Sequence, residues 1–397
     1  VIAFESALNH VINHSKSLGS EEISLVNANG RFLDENIMAD RDFPPFNRVT
    51  MDGYAIVASS WQKGQSDFII SGMARAGSQA FGLSNTSQCV EVTTGAVLPE
   101  GCDTVIPYEQ TEKHGNTIKI LFPPKKGQNI HKQGSDSIKG SLLLKIGSPL
   151  SPIEIAVLAT VGKARIRVKK VPKVIVLSTG DELVPVDQVP QPHQIRMSNS
   201  IMIASALQYY QIQAEIIHIP DDPELIASQL TGALSKADVL LISGGVSMGP
   251  FDYLPYVLEK LGVQKHFHRV AQKPGKPIWF GSWKKDRCVI FALPGNPVSA
   301  FLNYLLYFRT WLMQCWEISQ QVLFVQLEAG LENNTKLKQF IPVKLNINNA
   351  VLSVSKVSNN GSGDFFSLTE ADGFIKIDPD THLPKAALVH FIPFRPF

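Results

Sequence analysis

Three stretches repeat one pattern: Val174-Ile-Val-Leu-Ser-Thr-Gly-Asp-Glu182, Val239-Leu-Leu-Ile-Ser-Gly-Gly-Val-Ser-Met-Gly249 and Val289-Ile-Phe-Ala-Leu-Pro-Gly-Asn-Pro-Val-Ser299. Each is a short apolar run that breaks into a turn carrying glycine and hydroxyl side chains. Apolar runs without alternation suit strands covered on both faces, as in a parallel sheet. Around them, helical spacing reads over 198–208, 222–234, 251–261 and 297–311, with further strands over 214–219 and 278–280. Strand and helix therefore alternate from 171 to 315, which predicts an open α/β sheet with crossover helices.

On either side the character changes. Residues 4–18 read as an amphipathic helix with Ala7, Leu8, Val11, Ile12 and Leu18 near one face, and a second, short helix is expected from Glu21. Residues 40–47 hold two adjacent prolines and form a loop. Short strands at 54–57, 90–93, 104–106 and 117–121 predict a small β-rich domain. Ser151-Pro152 starts a helix running to about 161. Residues 163–170 alternate as a strand with one basic face, either a solvated edge or an anion-binding strand. After 320, strands at 323–327, 340–345, 351–357, 373–377 and 387–391, separated by turn clusters, predict an all-β C-terminal domain that could close as a barrel.

The 397 residues leave room for several domains, and 44% hydrophobic content supplies their cores. A net charge of +2 disfavours a general pull on nucleic acid. Apolar runs fall short of the roughly 18 residues a membrane span needs. Cys89, Cys102, Cys288 and Cys315 form no C-x-x-C pair, which predicts a cytoplasmic protein without a disulfide framework or zinc cluster.

Open α/β sheets bind ligands outside the carboxyl ends of their strands. Glycine there lets backbone N–H groups approach a phosphate closely. One such turn is ordinarily just a turn; three in one domain make Ser178, Thr179, Gly180, Ser243, Gly244, Gly245, Ser247, Pro294, Gly295, Asn296, Pro297 and Ser299 candidates for anion binding. There is no G-x-x-x-x-G-K-[ST] loop, and no G-x-G-x-x-G follows a strand, which disfavours P-loop and dinucleotide chemistry. Asp181, Glu182, Asp221, Asp222 and Asp252 stand at strand ends or helix starts. Singly they read as helix caps; with phosphates nearby they could hold Mg²⁺. Lys273-Pro-Gly-Lys-Pro277 sets two ammonium groups on one turn, either as surface charge or for an oxyanion. By composition alone, Asp52, Thr94 and Asp136 sit in ordinary turns.

In this order the pieces resemble the molybdenum-insertion enzymes of molybdenum-cofactor biosynthesis, the MoeA family, to which the gephyrin E domain is related. The resemblance is carried by Pro44-Pro-Phe, Met51-Asp-Gly-Tyr-Ala, Thr94-Gly-Ala, Pro99-Glu-Gly-Cys-Asp, Gly127-Gln-Asn-Ile, Ser178-Thr-Gly-Asp-Glu-Leu, Asp221-Asp-Pro, Ser243-Gly-Gly-Val-Ser, Asp252-Tyr, Lys273-Pro-Gly-Lys-Pro and Leu293-Pro-Gly-Asn-Pro-Val-Ser. It spans nearly the whole chain. It implies four domains: an α/β domain (1–19 and 171–320) like the molybdopterin-adenylating proteins, a linking domain (20–39 and 141–170), a β-rich domain (40–140) and a C-terminal β-barrel (321–397). It also implies a homodimer whose active site is shared across subunits, and contact with the molybdopterin adenylyltransferase. The implied reaction inserts molybdate into adenylylated molybdopterin and releases AMP.

By this resemblance Asp52, Thr94, Asp136 and Glu182 would be catalytic, and Glu182 and Asp252 would hold Mg²⁺. Asp221 or Asp222, Lys273, Lys276 and Ser362 would join the three turns in binding substrate. The pattern departs in three places. His131-Lys132-Gln133 stands where relatives often carry arginines, Phe340-Ile-Pro-Val343 lacks an expected arginine, and Asn47-Arg-Val-Thr50 replaces a more usual Asn-Ser-Ala. Two other readings stay open: an adenylyltransferase acting on molybdopterin with ATP, and a non-enzymatic scaffold of the gephyrin kind.

Overall fold

The computed structural model describes residues 1–79, 81–246, 253–348 and 351–395. The chain forms two compact units, one from Val1–Ile23, Ala28–Asp34 and Arg167–Phe397, the other from Ser24–Asn27 and Glu35–Ile166.

In the first unit a six-stranded sheet uses β1 (Val174–Thr179), β2 (Ala214–Ile219), β3 (Val239–Ser243), β4 (Gln264–His268), β5 (Trp279–Trp283) and β6 (Cys288–Leu293) in the order β2-β1-β3-β6-β5-β4. The first four strands in that order are parallel, whereas β5 and β4 run antiparallel to their neighbours. The sheet is thus mixed, and β4 is a strand that sequence reading left out. Every residue of β1, β3 and β6 is buried.

Alternate residues serve two cores, because side chains along a strand point to opposite faces. Val174, Val176, Leu241 and Phe291 pack with α1 (Phe4–Asn13), α2 (Asn199–Gln208), α5 (Pro297–Asn303) and α6 (Arg309–Cys315). Ile175, Leu177, Leu240 and Ile290 pack with α3 (Pro223–Lys236) and α4 (Leu254–Lys260). The helix expected over 297–311 runs from α5 through a π-helical turn, Tyr304–Phe308, into α6.

The same unit ends in a closed five-stranded barrel. Its strands are β7 (Leu323–Leu327), β8 (Lys338–Asn348), β9 (Val351–Lys356), β10 (Gly373–Ile377) and β11 (Leu388–Pro393). The order β8-β9-β7-β11-β10 closes through β8–β10 pairing, so the ring has no free edge. Val325, Val343, Val354, Ile375 and Phe391 fill its interior.

The second unit carries a six-stranded sheet in the order Thr104–Pro107, Gly53–Ile56, Gln88–Val92, Asp67–Ala74, Thr117–Ile120, Thr111–His114. Its helix Pro152–Thr160 has a full capping box, in which Ser151 caps the helix and Glu154 returns to the Ser151 N–H at 2.9 Å.

Two expectations are corrected. The helix expected from Glu21 is a strand, Ser20–Ser24, because the turn residues at Asn27 and Asn29 leave too few positions to nucleate a helix. The basic strand, Arg165–Lys169, keeps Arg165 and Arg167 exposed as a solvated face does, but departs from that reading at Lys169, which is no anion site either. That ammonium is buried between Asp34 (2.9 Å) and Glu317 (3.1 Å). Among the described residues no helix is long and apolar enough to cross a membrane.

Candidate functional site

Parallel register places Ser178 beside Ser243, and Ser243 beside Leu293. The three glycine turns therefore leave the sheet side by side at its carboxyl ends. Gly244 has φ +98°, and a Cβ there would stand 2.7 Å from the Thr179 carbonyl oxygen. A Cβ on Gly245 would stand 2.9 Å from Thr179 Oγ1. Glycine is thus required for the second turn to lie against the first. Thr179 Oγ1 is buried with no hydrogen-bond partner among the described residues. Glu182 folds back over Gly180, where a Cβ would meet its Oε2 at 2.5 Å. Asn199, the first residue of α2, donates to Ser243 Oγ (2.9 Å) and to the Gly295 carbonyl (2.7 Å), which ties two turns together.

Of the paired aspartates, Asp222 is the N-cap of α3, accepting from the N–H groups of Glu224 (2.8 Å) and Leu225 (2.9 Å). The Asp221 N–H bonds to Asp181 Oδ1 at 3.0 Å. Ser247 and Asp252 lie outside the described residues.

Next to these turns, a cavity of about 560 Å³ opens between the sheet's end and the barrel. Lys273, Lys276, Pro294, Asn296, Ser299 and Ser362 all line it, so the cavity gathers six of the residues singled out in the sequence. Asn296 donates to Ser362 Oγ at 2.8 Å, and the Val298 N–H to the Ser362 carbonyl at 3.2 Å. The remaining turn residues, Gly295 and Pro297, frame the start of α5.

The turn bearing both lysines is held from below by a buried polar network. Gln272 donates to Asn303 Oδ1 (2.8 Å) and to the Pro274 carbonyl (3.0 Å), Asn303 donates to the Gly275 carbonyl (3.0 Å), and the Tyr307 hydroxyl donates to Gln272 Oε1. Gln272, Asn303 and Tyr307 are fully buried, and burial pushes the Tyr307 phenol well above its usual range, so it stays a neutral donor.

Sequence reading missed Lys356, which lines the same cavity. It faces Val343 across β8–β9, and the Val357 N–H bonds to the Pro342 carbonyl at 3.0 Å. A cation thus stands beside the segment that lacks the expected arginine. Among the described residues no Asp or Glu lines this cavity, and no carboxylate pairs with Lys273, Lys276 or Lys356.

The other unit carries a second cluster. Asp52 Oδ1 accepts from the Thr94 N–H (2.6 Å) and the Thr94 hydroxyl (2.9 Å). Those two bonds, the N–H first, hold the exposed Asp52 carboxyl below its usual range. Asp136 Oδ1 lies 2.7 Å from His131 Nε2, and His131 Nδ1 lies 3.0 Å from an Arg48 guanidinium nitrogen. The strands Arg48–Val49 and Ile130–His131 pair and set this chain of groups in register. Arg48 therefore brings a guanidinium to the place where the resemblance leads one to expect arginine.

Residues 2–162 match the MoeA N-terminal region (domains I and II), 175–313 a probable molybdopterin-binding domain, and 325–394 the MoeA C-terminal region (domain IV). The chain belongs to the MoeA family. A molybdopterin molybdenumtransferase from Synechocystis is 36% identical over 95% of this chain and 95% of its own length. One from Staphylococcus aureus is 30% identical over 95% of this chain and 91% of its own. The crystal structure of a molybdopterin biosynthesis MoeA protein from Pyrococcus horikoshii covers both chains fully, with a TM-score of 0.81 and 30% identity. MoeA-type architecture thus accounts for the α/β sheet and the closed barrel, and the transferase class follows from the relatives.

Proposed function

We propose that the chain inserts molybdate into adenylylated molybdopterin, with release of AMP, in molybdenum-cofactor biosynthesis. The observation that carries this reading is the cavity lined by three lysines and, among the described residues, by no carboxylate. Molybdate and a nucleotide phosphate are both anions, and unpaired ammonium groups in one concave site offset their mutual repulsion. Its volume suits a small-molecule ligand. Backbone N–H groups of the turns at Gly180, Gly245 and 295–296 would bind the phosphates, the Gly244 N–H being held by the Leu293 carbonyl at 3.2 Å. The exposed Glu182 carboxylate, beside glycine turns open to phosphate oxygens, fits Mg²⁺, which binds through one or two carboxylates plus substrate phosphates. When bound there, Mg²⁺ neutralises charge developing on the leaving phosphate. Asp52, kept ionised by Thr94, is a weak base better suited to orienting a water or the metal than to removing a tight proton.

On this reading the protein is a homodimer in which Asp52, Thr94 and Asp136 of one subunit face the lysine cavity of the other. The four domains implied by the resemblance belong to the same reading, with the linking domain (20–39 and 141–170) drawing residues from both compact units. A cytoplasmic location belongs to the same reading, in keeping with Cys89, Cys102, Cys288 and Cys315 as free, buried thiols. Delivery of an adenylylated substrate also makes contact with the adenylyltransferase that supplies it a reasonable expectation.

The test is direct. The purified chain, given adenylylated molybdopterin, Mg²⁺ and molybdate, should release AMP and yield a cofactor that activates a cofactor-free molybdoenzyme. Bound substrate without AMP release would refute the proposal. Consumption of ATP without molybdate would favour adenylyl transfer instead.

A further inference from the structure

We propose that His14, His266 and Asp286 form a binding site for a zinc-type divalent ion at the amino-terminal end of β6, the end away from the glycine turns. The three residues come from distant elements: His14 caps the C-terminus of α1, His266 lies in β4, and Asp286 sits in the turn joining β5 to β6. One ligand atom from each lies within 4.8 Å of the other two. Tetrahedral zinc, with bonds of about 2.0–2.1 Å, needs ligand atoms about 3.4 Å apart, so side-chain adjustment of about an ångström closes the site.

The surroundings of the two imidazoles support coordination. His14 Nδ1 lies 2.8 Å from the His10 carbonyl, and His266 Nε2 lies 2.8 Å from the Ser282 hydroxyl. In metal sites the second ring nitrogen is ordinarily engaged in this way, which fixes the tautomer and turns the other nitrogen to the ion. That leaves His14 Nε2 and His266 Nδ1 as the ligand atoms. The two rings now stand in contact, 3.6 Å apart between centroids, and must part to roughly 5 Å for both nitrogens to reach one tetrahedral ion; Phe280 packs 5.4 Å from His266 as an apolar floor.

The turn is equally specific. Lys284, Lys285 and Asp286 have φ values of 48°, 53° and 63°, three successive non-glycine residues in left-handed backbone. Such strain persists only where something holds it. Its outcome here is that Lys284 and Lys285 are exposed, the Lys284 ammonium lying 4.1 Å over the Trp283 ring, while Asp286 is half-buried against the histidines. Two nitrogens and one carboxylate suit zinc and its neighbours in the transition series rather than Mg²⁺ or Ca²⁺, which prefer oxygen ligands. Three protein ligands leave a position for water. The site would pin the N-terminal helix to the edge of the sheet.

The experiment uses the full chain, stripped with a chelator and titrated with Co²⁺ and then Zn²⁺. One equivalent of Co²⁺ per chain should give the intense visible absorption of a four-coordinate ion, and Zn²⁺ should displace it and raise the thermal midpoint. His14→Gln, His266→Gln and Asp286→Asn should each weaken binding about tenfold or more, while His382→Gln, an exposed histidine paired with Glu332 away from both sites, should leave Co²⁺ binding unchanged. Asp286→Asn lies in a surface turn and reports even if a histidine variant fails to fold. Absence of the absorption band, or wild-type affinity in Asp286→Asn, would overturn the proposal.

Discussion

Asp52 and Lys356 show how single side chains set the chemistry. Thr94→Ala removes one of the two donors that depress the Asp52 pKa, so that pKa should rise towards its usual value. If the ionised form is needed for turnover, the acid limb of AMP release against pH should move to higher pH, with the neutral-pH plateau little changed. Because the folded pKa is the lower one, the associated stability is present above the unfolded value and lost as pH falls through the folded value. Asp52→Ala should cut AMP release about a hundredfold or more while lowering the thermal midpoint only slightly, since the side chain is exposed and loses just its two bonds from Thr94. Lys356→Ala should raise the molybdate concentration for half-maximal rate about tenfold, equivalent to ~1.4 kcal/mol, and Lys356→Arg should restore it. Both Lys356 and Arg48 answer a departure from the family pattern, and neither was legible as such. Their cations reach the place of a missing arginine through strand pairing, and pairing partners are not adjacent in sequence.

Among the elements, the turn at 273–276 is the most tightly specified. Gly275 has φ +83°, and a Cβ there would lie 2.7–2.9 Å from Asn303 and Gln272. Gly275→Ala should cost about 1–3 kcal/mol, read as a lowered midpoint in urea, and should weaken oxyanion binding by shifting both lysines. The strands at 214–219, 323–327 and 373–377 were predicted with the bounds they have, because each is a short β-rich run between turn residues. The strand Asp67–Ala74 was missed, since Ser71-Gly72-Met73-Ala74 gives it little β propensity and one exposed face. The network beneath the lysines was equally hidden. Gln272, Asn303 and Tyr307 are 31 to 35 positions apart along the chain in their hydrogen bonds, and only folding brings α5 and its π turn under 272–275. The glycine turns themselves were legible because their chemistry is local.

At the scale of the molecule, the shared-site proposal makes a strong prediction. Asp52→Ala and Glu182→Ala homodimers should each be nearly inactive. Unfolded together and refolded as a mixture, they should regain about a quarter of wild-type AMP release, because half the dimers would be mixed and each would carry one intact site. No recovery in a mixture proven to contain mixed dimers would place both residues in one subunit's site. The ordered motifs made the family legible along the chain. Burial of Lys169 between Asp34 and Glu317 was not, because its two partners lie far away in sequence. The lysine cavity carries one more consequence. Three like charges held close by a rigid turn and a barrel strand push against one another whenever no anion lies among them. Any compact tetrahedral dianion relieves that strain, sulfate included, so sulfate should both toughen the protein against heat and slow the reaction by competing with molybdate.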